Sequence, residues 1–445
     1  MILGPTFAEM RDPTLIDPST LAKAAAADPL DPIGLFSVRW AQDDGRVRGW
    51  LVPPSLTGVK APIAVMLGNG FPTGSHKVGP AYSCLVEQQL NGDITPGEHT
   101  LVFPSTGNYG IGGAWVGPRM GYSSLVVLPE EMSAERFERI RGYGAEIVAT
   151  PGSESNVKEI YDEVKRLKKR PEVRVLNQFE AFGNYRFHHG VTGPAAETLS
   201  KQLGFGGKVA AFVSAMGSGG TIAAGDYLKK SYNTAIVGLE PVQCPTLYNV
   251  GYGAHMIEGI GDKHVTWIHN VMNMDLLCCI DDAQAVRGLQ LLQEGDSVLR
   301  EELGFSEEDF AAFRGALGIS GICNLLGAIK SARALDLGPD DLIVTVATDG
   351  FDRYPSVLRA LEGREGPQSD EVARRRLEAF HNPDMDMVLH GDDETRRRWH
   401  NQKYFTWVEQ QGKSVEELDA LLDQEFWAEE ASRSEEVDAR ILAAR

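Results

Sequence analysis

The sequence has few cysteines, and none is placed for a disulfide or metal framework. There are five among 445 residues, an odd number, and no two of them form a C-x-x-C pair. Disulfide-stapled domains and structural zinc sites need paired, regularly spaced cysteines. We therefore expect reduced thiols, a cytoplasmic protein and no metal centre.

Positive charge and long apolar runs are also scarce. The chain carries 62 Asp and Glu against 43 Lys and Arg, for a net charge of −19 at pH 7. Such an acidic chain is a poor partner for nucleic acid or an anionic membrane surface. No apolar run approaches the roughly 20 residues of a membrane-spanning helix, and residues 1–5 lack the basic and apolar pattern of a secretion signal. We expect neither a nucleic-acid nor a membrane partner.

Short apolar runs alternate with helical patterns from about residue 100. Runs rich in Val, Ile and Leu are typical of strands buried on both faces of a parallel sheet. Strand–helix alternation indicates an α/β fold, in which ligands bind at the carboxyl ends of the strands. The predicted strands are 100–103, 124–128, 146–149, 209–213, 235–239 and 342–347, and the predicted helices are 134–143, 157–168, 193–203 and 221–230.

The chain after about residue 360 has a different pattern, because it is heavily charged and helical throughout. Ser414 followed by Glu417 predicts a capping box at the start of a helix. Four aromatic residues between positions 399 and 407 are too many for a disordered tail. We expect this extension to pack on the body of the protein or on a second subunit.

Lys77 is the only lysine in a bend rich in glycine and proline, residues 68–79, which runs directly into a helical pattern. The positive end of a helix dipole disfavours an ammonium group, so a partly buried lysine there can become a neutral nucleophile that forms an imine. A lone lysine at a turn is more often an exposed surface residue. Lys77 is thus a candidate imine-forming lysine, and whether it has this role depends on other motifs in the chain.

Two further loops each follow a predicted strand and open a helix. Residues 103–113 offer backbone N–H groups and the side chains of Ser105, Thr106 and Asn108 to an anion such as a carboxylate. Residues 213–221 form a glycine-rich cradle for a phosphate. The second loop is neither a Walker loop nor a G-x-G-x-x-G fingerprint, and a glycine turn that serves packing alone is the alternative.

Together, the three stretches resemble the fold-type II family of pyridoxal-phosphate (PLP) enzymes, which includes cysteine synthase, cystathionine β-synthase and the tryptophan synthase β-chain. That family has a Schiff-base lysine, then an asparagine loop of the kind T-S-G-N-T-G, then a G-x-G-G-T phosphate loop. Lys77, residues 105–110 and residues 217–221 occur in this order. Residues 177–179 and 258–261 also agree with later segments of the family.

The resemblance implies a fold and a domain organisation. We expect two three-layer α/β domains with mostly parallel sheets, like those of the tryptophan synthase β-chain, plus a helical C-terminal extension. Residues 1–84 and 191–360 would form the larger, PLP-binding domain. Residues 85–190 would form a smaller, mobile domain that carries the asparagine loop, and residues 361–445 the extension. A homodimer is expected from the family alone.

The resemblance also implies roles for site residues. Lys77 would hold PLP as an imine and later remove the α-proton of the substrate. Asn108 would hydrogen-bond the phenolic oxygen of the cofactor. The residues expected around the cofactor phosphate are His76, Gly217, Ser218, Gly219, Gly220 and Thr221. The residues expected to bind the substrate are Ser105, Thr106, Gly107, Tyr109, Gln178 and Gly259.

Two positions depart from the family pattern. Tyr109 replaces a small residue of the asparagine loop, so we expect an altered substrate pocket. The partner of the pyridine nitrogen is usually Ser or Thr, and here Thr348 and Asp349 are adjacent candidates. A hydroxyl would leave the ring nitrogen largely unprotonated, whereas an aspartate would keep it protonated and favour different carbanion chemistry.

The implied activity is PLP-dependent β-elimination or β-replacement on a β-substituted L-amino acid, through an aminoacrylate intermediate, as in cysteine synthase. A serine/threonine-type dehydratase or other ammonia-lyase is the alternative within the enzyme class. A non-catalytic PLP-fold binding protein is the alternative outside it, although the intact lysine and phosphate loop argue against this. The sequence does not choose the leaving group or the nucleophile.

Overall fold

The computed structural model describes residues 1–445 except 29, 106 and 153–156. Its strands are β1 Gly49–Leu51, β2 Ile63–Leu67, β3 Thr100–Pro104, β4 Ser123–Pro129, β5 Glu146–Thr150, β6 Val173–Val175, β7 Ala211–Ala215, β8 Ala235–Pro241, β9 Leu276–Ile280, β10 Ile343–Ala347 and β11 Val388–His390.

Helices connect these strands and cover the sheets. The α-helices are α1 Phe7–Arg11, α2 Pro18–Ala25, α3 Pro54–Thr57, α4 Val78–Asn91, α5 Asn108–Arg119, α6 Ala134–Gly142, α7 Val157–Leu167, α8 Phe182–Phe187, α9 Gly193–Gln202, α10 Ala223–Tyr232, α11 Thr246–Asn249, α12 Asp282–Glu294, α13 Asp296–Glu301, α14 Glu307–Phe313, α15 Ile319–Ala334, α16 Pro355–Glu365, α17 Asp370–His381, α18 Asp393–Asn401, α19 Val415–Ala420 and α20 Gln424–Ala444. Short 3₁₀ turns span Pro13–Leu15, Pro32–Ser37, Gly68–Gly70, Val271–Asn273 and Phe351–Arg353, and π-helical turns span His188–Thr192 and Phe405–Gln410.

Two sheets form the framework. A seven-stranded sheet has the order β1-β2-β10-β7-β8-β9-β11, and a four-stranded sheet has the order β5-β4-β3-β6. Neighbours are parallel throughout the smaller sheet, and in the larger sheet only the two edge strands, β1 and β11, pair antiparallel. Strands β2 and β10 are buried at every position, as strands covered by helices on both faces must be. The predicted α/β class with mostly parallel sheets is confirmed.

The four-stranded sheet is built between residues 100 and 175, inside the predicted smaller domain. The two predicted crossings between domains, after residues 84 and 190, fall within α4 and within the π-helical turn His188–Thr192. That turn continues α8 directly into α9, so both crossings follow helical backbone. The domain limits themselves stay a prediction.

The C-terminal extension packs on the body of the protein and is not purely helical. Its strand β11 pairs with β9 at the edge of the larger sheet. Helix α19 begins with the predicted capping box, in which Ser414 and Glu417 exchange hydrogen bonds. Trp399 and Trp407 are completely buried. Within the residues that the structure describes, no helix is both long and apolar enough to cross a membrane.

Candidate active site

Lys77 stands where the predicted bend enters α4. The buried strand β2 ends at Leu67, a 3₁₀ turn follows, and Lys77 is the residue immediately before the helix. Its Nζ lies 3.4 Å from Ser218 Oγ, in the glycine loop after β7. The structure therefore brings the candidate lysine and the candidate phosphate loop together from positions 141 residues apart.

The amine of Lys77 is poised near neutrality. Burial lowers its pKa to about 8, and the carboxylate of Asp262 acts in the opposite direction. Burial in turn raises the pKa of Asp262 to about 7, with Lys77 opposing the rise. At pH 7 roughly one amine in ten is neutral, against roughly one in 2,500 for an ordinary lysine. This is the protonation state that a carbonyl-attacking lysine needs.

The glycine loop, residues 217–221, needs glycine because its surroundings approach the backbone closely. A Cβ on Gly217 would lie 2.8 Å from the carbonyl oxygen of Gly259. Gly219 has φ of +72°, and a Cβ there would lie 2.6 Å from Thr266 Oγ1. Because the loop carries so few side chains and leads into α10, its backbone N–H groups can surround an anion at a helix N-terminus.

Side chains outside the loop hold it in place. Asn184, which is completely buried, donates from Nδ2 to Ser218 Oγ at 3.0 Å and to the carbonyl oxygen of Gln178 at 2.9 Å. Thr266 Oγ1 donates to the carbonyl oxygen of Ser218 at 2.8 Å. Sequence reasoning missed both residues, because neither Asn184 nor Thr266 belongs to a recognisable motif.

His76 is a neutral histidine at the floor of the site. Burial, with the charge of Lys77, holds its pKa well below the usual value. Its Nε2 lies 3.3 Å from Thr221 Oγ1, the last residue of the loop, and its buried Nδ1 has no hydrogen-bond partner among the described residues. The ring packs edge-on against His188, with centroids 5.2 Å apart. His76 therefore orients one end of the phosphate loop.

Asn108, the first residue of α5, is joined to the end of β10. Its Nδ2 donates to Asp349 Oδ2 at 2.6 Å, and its Oδ1 accepts from Arg353 Nε at 3.0 Å. Asp349 is completely buried and also accepts from the hydroxyl of Tyr354 at 2.9 Å. The side chain of Asp349 therefore links the segment that follows β10 of the larger sheet to the helix that follows β3 of the smaller sheet.

Both candidates for the ring-nitrogen partner lie beside the lysine loop. The carbonyl oxygen of Thr348 accepts from the backbone N–H of His76 at 3.3 Å. The backbone of Asp349 pairs with that of Ser75 in an isolated antiparallel β-bridge. The side chain of Thr348 is only half-buried. The geometry keeps either residue within the site, and their roles stay predictions.

The predicted substrate-binding residues, apart from Tyr109, lie at the asparagine loop and beside the phosphate loop. Ser105 Oγ accepts from the N–H of Gly107 at 3.0 Å and so shapes the asparagine loop. Gln178 is buried beside the loop that Asn184 holds, and a Cβ on Gly259 would meet no atom within 4 Å. Thr106 lies outside the described residues.

Tyr109 has a different environment from the one expected. Its ring is buried in the apolar core, edge-on to Phe103 with centroids 5.8 Å apart. The geometry gives it a packing role, and its contact with the substrate stays a prediction.

Helix α6 of the smaller sheet reaches over the site to the larger one. Arg136, which is completely buried, donates from Nε to Glu258 Oε2 at 2.5 Å and from Nη2 to the hydroxyl of Tyr354 at 2.9 Å. Glu135 accepts from the hydroxyl of Ser356 at 2.7 Å. We call these contacts the α6 latch. All of these contacts are hydrogen bonds or ion pairs between side chains.

The family of the chain follows from comparison with known proteins. The family model described as pyridoxal-phosphate dependent enzyme matches residues 54–349. A cysteine synthase from Staphylococcus aureus is 32% identical over 299 residues, covering 66% of this chain and 88% of that protein. The chain belongs to the pyridoxal-phosphate dependent enzyme family. Cystathionine β-synthase from Saccharomyces cerevisiae is 30% identical over 256 residues, covering 55% of this chain and 50% of that protein.

Solved structures agree. A hydrogen sulfide-producing enzyme, in a mutant form complexed with an α-aminoacrylate intermediate, superposes with a TM-score of 0.60 at 25% identity, covering 74% of this chain and 92% of that one. An O-acetylserine dependent cystathionine β-synthase from Helicobacter pylori also gives 0.60 at 25% identity, covering 70% and 95%. The predicted family and cofactor are confirmed.

The residues present fit PLP. Lys77 provides a half-buried amine that is partly neutral. The loop 217–221 provides a cradle in which three of five residues are glycine, and His76 presents a buried Nδ1 that has no partner within the described part of the chain. Asp262, whose carboxylate raises the pKa of Lys77, is a further residue that sequence reasoning missed. The only signal for it was its position directly after the Gly259–Gly261 turn.

Proposed function

We propose that this protein catalyses β-elimination or β-replacement on a β-substituted L-amino acid with PLP as cofactor, in the manner of cysteine synthase. The observation that carries the proposal is the shared cleft of Lys77 and the phosphate loop, in which Nζ lies 3.4 Å from Ser218 Oγ. The names of the relatives support the same reaction class, because several are cysteine synthases and one neighbour was captured with an α-aminoacrylate.

The loop 217–221 and Lys77 would hold the cofactor, with Asn108 beside its ring. When bound, PLP supplies an electron sink for the electrons left at Cα after the α-proton departs. Ser105, Gly107 and Gln178 would bind the substrate carboxylate. Their placement at the asparagine loop and beside Asn184 supports this role.

Lys77 would take the α-proton as a general base once the substrate has displaced it from the cofactor. A group whose pKa lies near the working pH is efficient in both directions of proton transfer, and the pKa of Lys77 of about 8 satisfies this condition.

Asp262 would act as a second proton carrier. Its pKa of about 7 means that the protonated and ionised forms coexist at neutral pH. The protonated form can donate to the departing β-substituent, and the ionised form can accept a proton from an incoming thiol. Its carboxylate acts electrostatically on the amine of Lys77, which supports a role at the same reacting centre.

The α6 latch would decide between replacement and elimination. While Arg136, Glu135 and their partners across the site are in contact, the closed site would keep water from the reacting carbon. Opening of the latch would admit water, and the product would then be keto acid and ammonia.

The remaining parts of the proposal concern context. The substrate would be a small-molecule amino acid, the working form a homodimer and the location cytoplasmic. The five free, buried cysteines support the location, and the homodimer is expected from the family alone.

The experiment compares products from one holoenzyme. The protein is incubated with O-acetylserine, serine, threonine and cysteine in turn, with and without a thiol, and the products are identified by mass spectrometry. We expect a thioether from O-acetylserine with thiol, and no product from the Lys77→Ala variant. Keto acid and ammonia from serine or threonine, unaffected by thiol, would identify a dehydratase instead. Inactivity with every substrate would contradict the proposal.

A further inference from the structure

The segment behind the phosphate loop is held from the C-terminal extension. We name residues 262–270 the backing segment. Thr266 Oγ1 of this segment donates to the carbonyl oxygen of Ser218, and a Cβ on Gly219 would lie 2.7 Å from the Cβ of His269. The backing segment therefore contacts the loop through one hydrogen bond and through the close approach of the His269 Cβ to Gly219.

Two buried side chains of the extension clamp the backing segment. Lys403 donates from Nζ to the carbonyl oxygens of Trp267 and His269, at 3.0 and 2.7 Å. Trp407 donates from Nε1 to the carbonyl oxygen of Val265 at 2.9 Å. The three carbonyls flank Thr266 on both sides, so the clamp fixes the backbone that carries the bond to Ser218.

The clamp buries an amine, which costs free energy of desolvation that an apolar side chain at the same position would not. Lys403 and Trp407 are completely buried, and they lie four residues apart, on one face of a helical turn. A buried amine is unfavourable unless its N–H groups find acceptors. Burial lowers the pKa of Lys403 to about 7, and because a neutral amine still has two N–H donors, the clamp persists in either protonation state.

The clamp lies outside the part of the chain that matches the family, which ends at residue 349. It therefore adds to the motif residues rather than repeating them. We propose that Lys403 and Trp407 are positioning residues for the cofactor phosphate, acting through the backing segment on the loop 217–221. The inference rests on PLP binding at that loop and is independent of which amino acid reacts.

The test measures cofactor binding without turnover. Apo forms of the wild type and of Lys403→Met are titrated with PLP by equilibrium dialysis, and the ³¹P chemical shift of the bound phosphate is recorded. We expect an affinity lower by about threefold to tenfold, since the loop loses the support of two hydrogen bonds, and a displaced ³¹P signal. Trp407→Phe, which removes one N–H and keeps an aromatic ring, should change both readouts in the same direction by less.

Asp438→Asn is the matched control. Asp438 also joins the extension to the body, accepting from the backbone N–H groups of Phe7 and Ala8 at 2.6 and 2.9 Å, but it contacts α1 instead of the backing segment. Its loss should lower the melting temperature and leave PLP affinity and the ³¹P shift unchanged.

The outcomes separate positioning from general support. Weaker PLP binding in Lys403→Met or Trp407→Phe but not in Asp438→Asn supports the proposal. Unchanged PLP affinity and ³¹P shift in folded Lys403→Met and Trp407→Phe, or an equal loss in Asp438→Asn, would overturn it. A double-mutant cycle with Thr266→Val tests whether Trp407 acts on the phosphate loop through Thr266. If it does, Thr266→Val should lower PLP affinity less in the Trp407→Phe background than in the wild type. Additive effects on PLP affinity would contradict this connection.

Discussion

Substitution of Gly220 by alanine should lower the affinity for PLP through a steric clash with one side chain. The new Cβ would lie 2.1 Å from Oδ1 and 2.8 Å from Nδ2 of Asn184. Asn184 is completely buried and cannot turn away without breaking its bonds to Ser218 and to the carbonyl oxygen of Gln178. At about 1 kcal/mol for each bond, the loss is about 2 kcal/mol, or about 30-fold in PLP affinity.

The assay is titration of the apo protein with PLP, together with thermal unfolding. Gly363→Ala is the matched control, because a Cβ there meets no atom within 4 Å and Gly363 lies inside helix α16. We expect it to bind PLP normally and to be more stable by about 0.5–1 kcal/mol. In a double variant with Asn184→Ala, the Gly220→Ala change should cost little more than Asn184→Ala alone. Normal PLP affinity in Gly220→Ala would refute the reasoning.

Three further perturbations probe the site and its supports. In Asp262→Asn the pH midpoint for acylation of the Lys77 amine should fall by about one unit, because the carboxylate that raises the pKa of Lys77 is gone. In Glu430→Gln the buried ion pair with Arg186, at 2.6 Å, is lost, and the free energy of unfolding measured with urea should fall by about 2 kcal/mol. In Arg136→Gln the α6 latch is weakened, and the ratio of keto acid to replacement product should rise.

Each of these three predictions has an outcome that would contradict it or a control variant. A midpoint for Lys77 that stays fixed or rises in Asp262→Asn would show that the carboxylate does not face the amine. Glu436, on the same helix as Glu430 but exposed, pairs with Arg440 only at 3.9 Å, so its Gln variant should change stability by less than about 0.5 kcal/mol. An Arg136→Gln protein that loses stability with an unchanged product ratio would give the latch a purely structural role.

Much of the fold could be predicted because its strands are buried on both faces. Strand β4 was predicted as 124–128 and spans Ser123–Pro129, and helix α6 was predicted as 134–143 and spans Ala134–Gly142. Strand β2 was missed although all five of its residues are apolar and buried, since it lies before residue 100, where the regular alternation of strands and helices begins. Strand β11 was missed because three half-exposed residues gain their structure only from pairing with β9.

The site residues that belong to ordered glycine and lysine motifs could be predicted from the sequence. Single side chains that contact the site from distant parts of the chain could not. Lys77 and the loop 217–221 carry local signals of their chemistry. Asn184, Thr266 and Lys403 do not, because their roles depend on distances that only the folded chain creates.

The most direct test of the account is the identity of the lysine that carries PLP. The holoenzyme is reduced with borohydride, digested, and the modified peptide is sequenced by mass spectrometry. Lys403 is the built-in competitor, since burial lowers its pKa to about 7, below that of Lys77, but two carbonyl oxygens already engage its amine. We predict modification at Lys77 alone; modification at Lys403 or at any other lysine, with Lys77 unmodified, would contradict the account.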